Sequence, residues 1–110
     1  MSYKFIWKIK LDPEFSEEEF IKFWRETSQI LQEYPGAMGT KMNKVVEEDR
    51  TYIAIAEWES KDARDSMQAD IDNPNGSARS KRWQKYAKNE SWGEITLRIR
   101  AEEIDEVHPN

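Results

Sequence analysis

The sequence predicts an α+β fold: a four-stranded antiparallel sheet with helices packed on one face. Three observations predict it. Segments 3–11, 51–58 and 94–102 have the alternation or the apolar density of strands. Two amphipathic segments open on serines placed to cap a helix, Ser16 and Ser60. The segments follow one another as β-α-β-β-α-(α)-β, and the first and third strands are the most apolar.

In residues 3–11, Tyr3, Phe5, Trp7, Ile9 and Leu11 point one way and Lys4, Ile6, Lys8 and Lys10 the other, and Asp12-Pro13 ends the strand. The run Phe15-Ser16-Glu17-Glu18-Glu19-Phe20 then starts a helix. Ser16 is the N-cap, Glu19 completes a capping box, and Phe15 and Phe20 occupy the two staple positions. Three glutamates in the first turn suit the helix dipole. Phe20, Phe23, Trp24, Thr27, Leu31 and Tyr34 continue at helical spacing until Pro35-Gly36 stops the helix.

Residues 39–47 and 51–58 read as a hairpin turning through Glu48-Asp49-Arg50. The first strand is polar enough for a sheet edge. The second is apolar on both sides, as a central strand is. Ser60 caps a second helix whose stripe is Ala63, Met67 and Ile71, and Asn73-Pro74-Asn75-Gly76 breaks it. A basic third helix is expected from Ser77 to about Lys88, with Trp83, Tyr86 and Ala87 inward. The last strand, 94–102, is expected to turn Ile95, Leu97, Ile99 and Ala101 inward and Thr96, Arg98 and Arg100 outward. This order is the ferredoxin-like split βαβ, in which strands one and three are central.

A chain of 110 residues is one domain, 1–110, with an acidic tail at 102–110 expected to fray. It has no cysteine, which removes disulfides and cysteine-based zinc sites and fits a reducing, cytoplasmic setting. A net charge of −5 disfavours non-specific nucleic-acid binding. No apolar run approaches the ~20 residues of a membrane span, and the start lacks a signal-peptide block.

One sheet face collects the aromatics and belongs under the helices. The other mixes Ile6, Ile53 and Ile55 with lysines, arginines and glutamates. Isoleucines on bare solvent are poorly used, so a homodimer packed sheet against sheet is expected, against a monomer with one wet face.

The Pro35-Gly36 helix end, the hairpin, and Glu57-Trp58-Glu59-Ser60 leading into a helix resemble the antibiotic biosynthesis monooxygenase-like family of dimeric α/β barrels. The resemblance spans residues 3–101. It implies a pocket in each protomer between helices and sheet. It also implies activities that range from cofactor-independent oxygenation of polycyclic phenols to haem degradation. The haem-degrading pattern has a Trp several residues beyond the strand-end Trp and a His on the following helical segment. Arg64-Asp65-Ser66-Met67 and Ala78-Arg79-Ser80-Lys81 supply neither. The phenol-oxygenase branch uses Asn, Tyr, Trp and Arg around an apolar pocket, and no motif carries across residue by residue, so no catalytic residue is assigned. The implied function is monooxygenation of an aromatic phenol without cofactor. The alternative is a non-enzymatic binder of a small apolar ligand.

The residues themselves exclude several chemistries. His108, the only histidine, sits in the acidic tail, where a general base has no anchor. Zinc lacks imidazole and thiolate ligands, and no glycine-rich phosphate loop exists. The carboxylate clusters read as a helix start, a turn and a tail rather than a calcium loop. What remains is a pocket. Ala54 and Ala56 leave room under the helices beside Trp7. The candidate lining is Trp7, Trp24, Tyr52, Ala54, Trp58, Arg82, Trp83 and Tyr86, with no metal and no cofactor. Tight packing of large side chains against small is the competing expectation. An RNA-recognition module shares the topology, but its open-face aromatics and positive charge are missing.

Overall fold

The computed structural model describes residues 2–87 and 91–110. In chain order the elements are β1 (Tyr3–Leu11), α1 (Glu17–Leu31), β2 (Ala37–Lys44), β3 (Thr51–Trp58), α2 (Lys61–Asp72), α3 (Ala78–Ala87) and β4 (Gly93–Glu102). Lys88, the expected end of the third helix, lies outside the described residues. The sheet order is β2-β3-β1-β4, with every pair antiparallel. The two most apolar strands are therefore central, and the fold is ferredoxin-like.

The local signals that set these elements are visible at their ends. Ser16 is extended, and its Oγ accepts from the Glu19 N–H at 3.0 Å, satisfying a donor the first helical turn leaves free. Phe15 and Phe20 both pack on Trp92, at ring separations of 4.5 and 6.1 Å, so the staple closes through a third aromatic. Ser60 Oγ accepts from the Ala63 N–H at 3.1 Å and starts α2 in the same way. Gly36 takes a φ of +85°, and a Cβ there would lie 2.5 Å from the Cβ of Ala63. The turn after α1 can thus lie against α2 only because it has no side chain. Asp70, in the last turn of α2, accepts from the Tyr34 hydroxyl at 2.5 Å and from the Ser77 N–H at 2.9 Å. It thereby joins the end of α1, the end of α2 and the start of α3.

Register shows which side chains share a face. Tyr3 stands opposite Trp58, Phe5 opposite Ala56, Trp7 opposite Ala54 and Ile9 opposite Tyr52, all on the helix side. β4 departs from expectation. Lys8 pairs with Leu97 but Ile9 pairs with Ile95, so Thr96 is an extra residue in the strand. A bulge of this kind flips every side chain beyond it. Ile95 faces the helices as expected. Leu97, Ile99 and Ala101 instead pair with Lys8, Ile6 and Lys4 on the open face, while Arg98 and Arg100 stand opposite Trp7 and Phe5 on the helix side. Strict period-two reading could not show this, because the slip is set by the pairing with β1.

The core forms two clusters on the helix side. One holds Tyr3, Tyr34, Trp58, Met67 and Ile71 at one end of the sheet. The other holds Ile9, Leu11, Phe20 and Tyr52 at the opposite end. Between them Phe5, Trp7 and Ala56 are only half-buried. The incompletely filled middle of the core is where the cavity lies.

Candidate functional site: an aromatic cavity between sheet and helices

The cavity has a volume of about 230 Å³. Its floor is Phe5 and Trp7 of β1 with Ala56 and Trp58 of β3. Phe20, Phe23, Trp24, Thr27 and Leu31 of α1 form one wall, Arg64 and Gln68 of α2 another, and Trp83 of α3 closes it. The lining is mostly ring and alkyl surface, suited to a flat aromatic ligand.

Few polar groups reach this space, and most are engaged. Thr27 donates to the Phe23 carbonyl at 3.0 Å, inside its own helix. Gln32 Oε1 accepts from the Gly39 N–H at 2.8 Å, fixing the irregular start of β2 beside the site. Arg64 is different. Its guanidinium lies 4.3 Å above the Phe5 ring and donates to Gln68 Oε1 at 3.2 Å. Its Nε is buried and has no acceptor among the described residues. A buried donor without an acceptor is costly, and a ligand oxygen would satisfy it.

A second cleft of about 360 Å³ adjoins the cavity and shares Phe5, Trp7, Phe20 and Phe23 with it. Its own side is made by Ile9, Trp92, Ile95 and Arg98. Trp92 stacks on Phe23 at 5.0 Å, and its indole nitrogen is also buried without an acceptor among the described residues.

Of the residues singled out from sequence, Trp7, Trp24, Trp58 and Trp83 line the cavity. Tyr52, Ala54, Arg82 and Tyr86 do not. Tyr52 belongs to the cluster at the far end of the sheet, and its hydroxyl donates to Glu17 Oε2 at 2.9 Å. Burial, with that hydrogen bond, pushes its phenol above the usual range. Lys44 first and Tyr52 second hold the Glu17 carboxyl below its usual value. Ala54 is 1% exposed between Trp7 and Met42, so Ala56 is the small residue that leaves room. Arg82 and Tyr86 face outward because the inner side of α3 is set by Ser80, Trp83 and Ala87, one face at helical spacing. Arg82 pairs with Glu33, whose carboxyl it holds below the usual range, and Tyr86 is 43% exposed.

Arg64, Gln68, Gln32 and Thr40 join the lining without a sequence signal that marks them. The nearest hint was the i, i+4 spacing of Arg64 and Gln68 beside the Met67–Ile71 stripe, which reads equally as a solvated flank. Among the described residues no cluster of His, Cys, Asp and Glu could hold a metal ion, and no helix is long and apolar enough to cross a membrane.

No family model matches the sequence, and no curated protein matches it. Solved structures do match in shape. A variant of MhuD with two manganese protoporphyrin IX bound per active site superposes with a TM-score of 0.71 at 14% identity, over 99% of this chain and 100% of that one. A protein of Bordetella bronchiseptica described as an antibiotic biosynthesis monooxygenase gives 0.70 at 17% identity, over 94% and 97%. SnoaB, a cofactor-independent oxygenase from Streptomyces nogalater, gives 0.62 at 14% identity, over 99% and 98%. A porphyrin does not suit the donor set found here. Among the described residues the cavity lining contains no His, Cys, Tyr or Met to ligate its metal, and His108 sits in the exposed tail beside Glu106. At these identities the likeness is one of fold: this chain has the fold of the antibiotic biosynthesis monooxygenase-like proteins.

Proposed function

We propose that the chain is a cofactor-independent monooxygenase of an aromatic phenolic small molecule, bound among Trp7, Trp24, Trp58 and Trp83. The observation that carries this reading is an aromatic cavity into which one cationic donor, Arg64, projects beside Phe5. Ring faces hold a planar ligand and exclude water, and the guanidinium favours the ligand's anion over its neutral form. That phenolate is the base: it takes the proton of an activated CH2 next to the phenolic system, leaving a carbanion, and the proton is later delivered to the peroxide oxygen. That carbanion passes one electron to dioxygen, and the radical pair combines to a hydroperoxide. Loss of water leaves a carbonyl, so CH2 and O2 become C=O and H2O. Exclusion of bulk water protects the intermediates. A volume of 230 Å³, under the roughly 300–1,000 Å³ of common ligand pockets, favours a compact substrate.

Incubation with hydroxylated polycyclic aromatics under air and under argon tests this. The expected result is a product that gains one oxygen and loses two hydrogens only in air, with label incorporated from ¹⁸O₂. Identical mass spectra for every candidate under both gases would overturn the reading.

One observation favours a non-enzymatic binder instead. Among the described residues the lining holds no carboxylate, imidazole or amine to act as general base. A ligand recovered bound but unchanged in air would select that reading.

The functional unit in this reading is a homodimer joined through the open sheet face. Ile55, Ile6 and Ile99 form a row across β3, β1 and β4 on that face. Ile99 is 42% exposed and Leu97 beside it 41%. Such a patch on a sheet is suited to burial against a second copy.

A further inference from the structure

The bulge at Thr96 brings two arginines to a place the alternating pattern would not put them. Arg100 stands opposite Phe5 and Arg98 opposite Trp7, on the helix side of the sheet. Arg64 covers the Phe5 ring from α2 on that same side. Arg98 borders the cleft that shares Phe5 and Trp7 with the cavity. Arg64 thus lines the cavity, Arg98 borders the cleft beside it, and Arg100 holds the next helix-side position of β4, in a chain whose net charge is −5.

Several cations elsewhere on the molecule are paired, and others on the open surface, such as Lys10, Lys22 and Lys41, have no carboxylate within 4.0 Å among the described residues. Lys4 meets Glu57 at 3.5 Å and Lys8 meets Glu48 at 2.8 Å. Among the described residues, Arg64, Arg98 and Arg100 have no carboxylate within 4.0 Å. Two acids share their side of the sheet. Asp65 of α2 lies within the field of Arg64 and Arg100, but Lys61 binds it at 2.6 Å. Glu102 occupies the next helix-side position, opposite Tyr3. Arg98 and Arg100 are both exposed, so their side chains are available to a ligand.

We propose that Arg98 and Arg100, with Arg64, make the cavity selective for an aromatic ligand that carries a carboxylate. Guanidinium forks match a carboxylate in two parallel hydrogen bonds, and an aromatic wall beside them fixes the ring to which that group is attached. This rests on the reading that the cavity binds an aromatic molecule. It adds the acidic substituent and the residues that recognise it.

Calorimetric titration with 2-naphthoate and 2-naphthamide separates the two ideas, because the probes share ring and shape and differ in charge. The expected result is that the naphthoate binds about tenfold more tightly or better, as hydrogen bonds to charged groups allow. Its affinity should also fall with added salt. In the double variant Arg98→Gln/Arg100→Gln the preference should shrink about threefold or more, Arg64 keeping the remainder, while the naphthamide affinity, an internal control for folding, stays unchanged. Equal binding of both probes to the wild type, or a preference undiminished in the double variant, overturns the selectivity and leaves the aromatic cavity standing. Binding of neither probe overturns both.

Discussion

Phe5 and Ala56 stand opposite each other across the β1–β3 ladder, and both open onto the cavity. One pair along the same ladder, Trp7 and Ala54 also face each other, yet Ala54 is fully covered. Two alanines on one face of one strand therefore have opposite surroundings. Ala56→Leu should enter existing space, cost little stability and block ligand binding. Ala54→Leu should overpack the core at about 1–3 kcal/mol. Thermal melts of the two variants check this, since 1 kcal/mol moves the midpoint of a domain this size by roughly 4–8 °C. Equal losses would mean that no usable space lies above Ala56.

The row Ile55–Ile6–Ile99 is the basis for the expected dimer. Replacing Ile99, which is 42% exposed, by Glu should leave the monomer folded and shift the sedimentation coefficient from dimer to monomer. A wild type that sediments as a monomer at tens of micromolar would contradict the sheet-to-sheet interface.

Asp70 links acid stability to the helix junction. Hydrogen bonds from Ser77 and Tyr34 hold its carboxyl below the ordinary value of 3.8. A carboxylate depressed in the folded state contributes stability above its unfolded pKa and loses it as pH falls through the folded one. Asp70→Asn should thus be less stable than the wild type at neutral pH. The gap should close as pH drops below 3.8. Urea unfolding at a series of acidic pH values measures it. A gap independent of pH would show that the charge is not what stabilises the junction.

Gly36 and Gly39 both take positive φ, 85° and 103°, but their surroundings differ. A Cβ at Gly36 meets Ala63 at 2.5 Å, whereas one at Gly39 meets nothing within 4 Å. Gly36→Ala should cost more than about 1 kcal/mol, and clearly more than Gly39→Ala, which carries only the backbone penalty. Denaturant midpoints of the two variants give the comparison.

The features readable from sequence were those set within a few residues of each other. Ser16 and Ser60 cap their helices through neighbours three positions on, and β1 alternates within itself. Position within the site was harder. Ala54 and Ala56 are equivalent by period, and only the packing beside Met42 on β2 separates them. Tyr86 looked inward as a large ring on an amphipathic helix, but Ser80, 0% exposed, marks the true inner face of α3. The faces of β4 beyond Thr96 could not be read without its partner, because the slip between Lys8 and Ile9 belongs to the pair of strands. Arg64 carried no signal either, since an arginine on a helix is by default solvated.

The sharpest check follows from the five tryptophans, four of which line the cavity while Trp92 borders the neighbouring cleft. With 5-fluorotryptophan in place of tryptophan, each gives a separate ¹⁹F resonance. Titration with a compact aromatic such as 2-naphthoate should shift the signals of Trp7, Trp24, Trp58 and Trp83 saturably, and Ala56→Leu should abolish those shifts. Resonances that stay fixed, or that move equally in the Ala56→Leu variant, would mean that this space takes no ligand.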